Sequence, residues 1–249
     1  MSTLTELNNV KHAELYVANN CQLDFAATQH LLNIRVTEVG HAVCNLPVFL
    51  TKDTQHGLWR LSAISSFNQG HNLLVHNNQW LAPYQPTVVQ TYPFHLMTSS
   101  DGKQNYTIGI DEKSQAFSKE TGEMIFDKSG KASLYLSRIK LLLEADIEND
   151  VKTYQFGQLL NELGLCKPIN LLIRYQDDST QKITGLTTID EDKLQGLSAS
   201  NLELLSKKGY LTAIHGMLIS ILQLNALIQK NNAHPQLPNI KNIKIEVSK

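Results

Sequence analysis

Cysteine is scarce in this chain, and its three copies, Cys21, Cys44 and Cys166, are odd in number and far apart. That spacing excludes a disulfide framework and makes a reducing compartment, the cytoplasm, the expected location. Charge of one sign is also missing. Lys and Arg number 22 against 23 Asp and Glu, a formal net charge of -1. Nucleic-acid binders carry a basic excess or stripe, so no nucleic-acid partner is expected. The first nine residues have neither a basic nor an apolar segment, so no secretory leader is expected. Long apolar runs are absent too. Leu211–Ile228 is the nearest approach, but His215, Ser220, Gln223 and Asn225 interrupt it. A membrane span needs about 20 predominantly apolar residues, so this stretch reads as a buried helix.

Catalytic signatures are missing as well. The chain has no Gly-x-Ser-x-Gly elbow, His-Glu-x-x-His pair, Gly-x-Gly-x-x-Gly turn or phosphate loop. No cofactor is therefore expected.

What is present is period. Leu46–Leu50 reads as a strand, with Pro47 at an edge or a strand start. Trp59, Leu61 and Ala63 alternate with Arg60 and Ser62. Gly70 and Asn77-Asn78 mark turns, and Pro86 opens a helical turn through Val89. Tyr92, Phe94 and Leu96 alternate as a strand, Ser100-Asp101-Gly102 suits a hairpin, and Tyr106, Ile108 and Ile110 return. From Tyr135 to Leu163 the apolar step becomes three and four, as one helix or as two broken near Asn149-Asp150. A hairpin follows, from Asn170 to Ile189 around Asp177-Asp178-Ser179. Asp190 suits a helix cap, Ser200 and Glu203 a capping box, and 210–230 a last helix. The fold class is therefore α+β: an N-terminal antiparallel sheet followed by helices with an inserted β-hairpin. Whether the sheet closes like a barrel stays open. One domain over 1–249 is expected, β-rich over 1–130, helix-rich over 131–230, with an extended, partly mobile tail over 231–249.

Gly70 to Glu112 carries a distinctive order: Trp80, Tyr84, Pro86, Tyr92-Pro93-Phe94 and Ile110-Asp111-Glu112. With Ile125-Phe126-Asp127 and Gly185-Leu186-Thr187-Thr188-Ile189-Asp190, it resembles the SapC family of bacterial proteins, named after a surface-layer locus. Members often have basic residues before Tyr-Pro-Phe, where this chain has Gln90 and Thr91. The resemblance implies company with outer-membrane transporters and with halogenase-like and cupin-like proteins, a peptide or glycan theme.

Several residues qualify for a site. Trp80 and Tyr84 fall in turn-like sequence and suit a groove with flat apolar faces. Tyr92 and Phe94 suit the core of the sheet or the same groove. Asp111, Glu112 and Asp127 end strands, where carboxylates cap turns or perform acid–base work. His12 and Glu14, with His95 or His215, fit the start of an iron site. His41 with Cys44 lacks a second ligand pair, and His71 and His76 fall on opposite faces of a strand. His215 reads as a core histidine or a pocket-lining acid or base. The expectation is a cytoplasmic binding or adaptor protein that engages a peptide or partner protein. The alternatives are an enzyme or obligate subunit of a modification pathway, and a surface-layer or secretion factor.

Overall fold

The computed structural model describes residues 4–52, 57–98 and 106–248. In chain order its elements are β1 (Thr5–Glu6), β2 (Tyr16–Val17), α1 (Cys21–Ala27), β3 (Leu31–Ile34), α2 (Val39–Ala42), β4 (Val48–Lys52), β5 (Trp59–Ile64), β6 (Val75–His76) and β7 (Gln79–Trp80). Then come α3 (Thr87–Gln90), β8 (His95–Thr98), β9 (Tyr106–Ile110), β10 (Phe117–Ser118), β11 (Glu123–Met124) and α4 (Leu134–Glu162). The rest are β12 (Cys166–Tyr175), β13 (Thr180–Ile189), α5 (Glu191–Gln195), α6 (Ala199–Lys207), α7 (Leu211–Ser220), α8 (Gln223–Ala233) and β14 (Ile240–Val247). A 3-10 turn at Val36–Glu38 precedes α2.

The fold is α+β, and among the described residues none of its sheets closes into a barrel. The main sheet is antiparallel, in the order β14-β12-β13-β4-β5-β3. It therefore draws strands from both halves of the chain, which a division at residue 130 does not convey. The halves meet where Thr187 of β13 lies opposite Leu50 of β4. Val48, Phe49 and Leu50 are all fully buried. Successive strand residues face opposite ways. Val48 and Leu50 thus join one core, with Trp59 and Leu61, while Phe49 joins a second, with Leu171 and Ile173. Pro47 directly precedes this strand, which fits the expected strand start, and the strand lies in the middle of the sheet, not at an edge.

Helix α4 is continuous through Asn149-Asp150. Ser133 caps it by accepting from the Leu136 N–H at 3.1 Å. Its first half puts Leu136, Ile139 and Leu143 into a third core, under the three-stranded sheet β1-β9-β8 and its neighbours. Its second half puts Phe156 and Leu160 into the first core. Gly157 lets Trp59 come close; a Cβ there would lie 2.4 Å from the Trp59 Cβ.

Other expectations need correction. Thr91 to Phe94 is a turn, not a strand: the Phe94 N–H donates to the Thr91 carbonyl at 2.9 Å, and β8 begins only at His95. The hairpin expected at Ser100-Asp101-Gly102 lies outside the described residues. Ser198, rather than Ser200, caps α6, accepting from the Asn201 N–H. The last helix is two helices bent by 44°. The bend lets Ile214 and Met217 of α7 pack into the first core, and Leu224 and Leu227 of α8 into the second. Ser220 marks the break, donating to the Met217 carbonyl and accepting from the Val48 N–H. Among the described residues no single helix is long and apolar enough to cross a membrane.

The tail is extended but docked. Asn232 clasps Ile240 through both its N–H and its carbonyl, and Asn231 donates to the Pro238 carbonyl. Strand β14 then pairs along β12.

Candidate functional site

Two depressions run along α4, on either side of α3. The larger is a groove of about 650 Å³ bounded by α1, the β6–β7 hairpin, α3 and α4. Asn77 and Asn78 both take the left-handed conformation, φ 47° and 53°. Two such residues in succession make the tight turn that the sequence predicts, and the hairpin presents Gln79 and Trp80. Trp80 is half-buried, and its indole N–H donates to the Tyr84 carbonyl at 2.8 Å.

Six amide side chains line this groove: Asn20, Gln22, Asn78, Gln79, Gln85 and Gln90. Tyr135 adds a second ring, and among the described residues Arg138 is the sole charged side chain of the lining. Gln22 donates to the Tyr135 hydroxyl at 2.8 Å, and Gln90 donates to the Gln85 carbonyl at 2.6 Å. Burial pushes the Tyr135 phenol up to about 12, so it stays a neutral donor and acceptor at neutral pH. Among the described residues Arg138 has no ion-pair partner.

Tyr84 holds the groove's rim from behind. Its hydroxyl donates to Glu38 Oε1 at 2.5 Å. The same oxygen accepts from the backbone N–H and the hydroxyl of Thr87, both at 2.8 Å, and Oε2 accepts from the Arg35 N–H at 2.7 Å. Desolvation, then the negative charge of Glu38, pushes the Tyr84 phenol far up, so it remains a donor. The His41 ring stacks on Tyr84, with centroids 5.8 Å apart.

The second depression, about 310 Å³, contains Glu38, Arg35, Asp146, Asp150, Thr87 and His95. The Arg35 fork grips Asp146 through two bonds, at 2.7 and 2.6 Å, and reaches Asp150 at 2.5 Å. Burial opposes the Arg35 charge, but Asp146, Asp150 and Glu38 outweigh it and raise its pKa. Burial lowers the pKa of His95, against the opposing charge of Asp111.

The remaining candidates have other roles. Tyr92 is half-buried and stacks on Phe25, with centroids 4.1 Å apart; Phe94 is core. Asp111 accepts from the Lys113 N–H and Asp127 from the N–H groups of Ser129 and Lys131, so both cap turns. His12 is buried, with Nδ1 accepting from the Asn8 N–H and Nε2 3.0 Å from Glu112. The bond to Lys11, then that to His12, holds Glu112 below the usual carboxylate range. Both His12 nitrogens are therefore occupied, and Glu14 is exposed. His215 is exposed on α7, neither a core residue nor part of either depression. Cys44 is exposed, and His71 meets the ring of His234 edge-on. Among the described residues no three His, Cys, Asp or Glu side chains are placed to hold a metal ion.

The amides, Arg138, Glu38 and Arg35 were not among the candidate site residues read from the sequence, although Asn78 was read as a turn residue and Gln90 as a departure from the family pattern. One signal was there: residues 61–100 contain no Asp, Glu, Lys or Arg, yet are dense in Asn and Gln. The Glu38 network has no comparable signature.

Fold and site together define an α+β protein with an open mixed-origin sheet and an amide-lined aromatic groove. The SapC family model matches residues 7–227, and the chain belongs to the SapC family. No curated protein and no solved structure matches it.

Proposed function

We propose that this SapC-family chain is a cytoplasmic, non-catalytic binding or adaptor protein, whose Trp80 groove takes an extended, uncharged stretch of a peptide or partner protein. The lining of that groove carries the proposal. A peptide group offers one donor and one acceptor, and an amide side chain matches both. Flat rings such as Trp80 and Tyr135 add apolar area at small conformational cost. With Arg138 as its one charge, the lining does not select strongly for an ionised ligand.

The Glu38 network supports the same reading, since it fixes Tyr84 and through it the indole of Trp80. Preorganisation of this kind reduces the entropy lost on binding. A neutral oligosaccharide is the second reading, because the same amides serve hydroxyl groups and an indole face suits a sugar ring. An array of uncharged extended peptides, with neutral oligosaccharides beside them, tests both. The proposal expects a subset of peptides to bind the wild type and to be lost with Trp80→Ala and with Gln79→Ala/Gln85→Ala. Equal binding by wild type and both variants would refute it.

A further inference from the structure

Strand β14 forms one edge of the main sheet, and among the described residues it pairs with β12 alone. The opposite edge, β3, is short and packs against α3. Along an antiparallel strand, the N–H and C=O of successive residues point alternately to the two sides. The Ser248 N–H donates to the Pro168 carbonyl at 3.0 Å, which sets the phase. Asn242, Lys244 and Glu246 turn their backbone groups toward β12. Ile243, Ile245 and Val247 turn theirs outward, where they meet no strand among the described residues.

The side chains of this edge complement a second copy of themselves. Run antiparallel about a two-fold axis at Ile245, the strand sets Ile245 opposite Ile245, Ile243 opposite Val247 and Lys244 opposite Glu246. All the outward backbone groups of Ile243, Ile245 and Val247 then face one another, as pairing requires. A shift of the axis by one residue puts Lys244 on Lys244 or Glu246 on Glu246. Like charges directly opposite destabilise a ladder, and unlike charges stabilise it. Edge lysines ordinarily guard a sheet against such pairing; here Lys244 meets Glu246 of the second copy, while Lys241 is paired with Asp178 of its own chain at 3.3 Å.

The apolar surface agrees. Ile245 is 40% and Val247 63% exposed, on the face that continues Leu171 and Ile169 of β12. Ile243 and Ile245 also border a groove of about 550 Å³ beside α8, next to the exposed Leu222. In a single copy, Lys244 pairs among the described residues with Glu246 of its own strand, at 3.2 Å. We propose that the chain forms a two-fold dimer by antiparallel pairing of β14, which joins the two main sheets into one.

Light scattering on the eluting full chain, from micromolar to hundreds of micromolar, tests this. The expected result is a mass rising with concentration from 27.9 kDa toward twice that value. Glu246→Lys places four lysines together and is expected to weaken the dimer on the order of tenfold or more. Lys244→Glu/Glu246→Lys restores opposite pairs and is expected to restore the dimer. Amide exchange on the wild type needs no variant: Ile243, Ile245 and Val247 are expected to gain protection as concentration rises. A monomeric mass at every concentration overturns the proposal. So does a dimer indifferent to Glu246→Lys, or outward amides that stay unprotected at the highest concentration.

Discussion

Replacing Glu38 by Gln exchanges one oxygen for an NH₂ group and removes one charge, yet four donors converge on that carboxylate. They are the Arg35 N–H, the Tyr84 hydroxyl, and the N–H and hydroxyl of Thr87, all between 2.5 and 2.8 Å. With the new carbonyl kept toward Tyr84 and Thr87, the new NH₂ meets the Arg35 N–H donor to donor. An unsatisfied buried N–H costs about 1–3 kcal/mol, and bonds to a charged group exceed neutral ones by about 1 kcal/mol each. Those increments do not add fully for three donors on one oxygen, so the expected total is about 3–4 kcal/mol. That is a large share of the roughly 5–15 kcal/mol that stabilises a folded domain. Urea denaturation is the assay, and at ordinary slopes the midpoint falls by about 1 M or more. Tyr84→Phe removes one donor and is expected to cost about 1 kcal/mol. The double variant is expected to lose less than the sum, because both changes affect the same bond. A Glu38→Gln loss below about 1 kcal/mol, or strict additivity with Tyr84→Phe, would refute this account of the network.

Gly157→Ala improves helix propensity by about 1 kcal/mol but drives a methyl into Trp59, an overpacking cost of about 1–3 kcal/mol or more. A net loss of about 1–2 kcal/mol is expected in urea denaturation; a stabilised variant would show that α4 and β5 give way easily. Stability is also expected to fall on acidification in two stages. His30 and His95 titrate below their ordinary 6.5 because burial disfavours their charged forms. The unfolded chain therefore takes up their protons first, and stability is lost as pH falls from 6.5 through their lowered values. Glu112 and Glu148 are held below 4.5, and Asp127 and Asp177 below 3.8, by hydrogen bonds. Their contribution is present above those values and is lost as pH falls through the lowered ones. A urea midpoint constant from pH 7 to pH 5 would contradict the first stage, which His30→Gln/His95→Gln is expected to remove. One thiol of three should react quickly with a colorimetric disulfide reagent: Cys44 is exposed, whereas burial pushes Cys21 and Cys166 up to about 11. Two or more fast thiols would contradict that burial.

The elements written by local period were legible. The hairpin around Asp177-Asp178-Ser179 forms because Asp177 accepts from the Ser179 N–H and Asp178 takes a left-handed turn conformation. The long helix follows from its apolar steps. What local pattern does not encode is pairing between distant segments. Nothing near Leu50 announces Thr187 as its neighbour, and nothing near Ile240–Val247 announces β12. The tail reads as extended and partly mobile because an edge strand that mixes Lys, Asn and Glu with Ile looks the same as an undocked one. His215 shows the same limit: on an apolar helix the burial of one position depends on which face meets the sheet, and that face is set by Ile214 and Met217. At the groove, Trp80 was legible as an aromatic in a turn. The amides around it were not, because they come from α1, α3, the hairpin and its flank, and the association of Arg35 with Asp146 spans 111 residues.

The central claim, that the Trp80 groove receives an uncharged extended ligand, is tested most directly by the indole itself. Trp59→Phe leaves Trp80 as the single tryptophan. Array-selected peptides are then titrated into that variant, with calorimetry run in parallel. The account predicts a saturable shift in Trp80 emission at the calorimetric midpoint, lost with Gln79→Ala/Gln85→Ala. Calorimetric binding with no change in Trp80 emission would place the ligand elsewhere and contradict the claim.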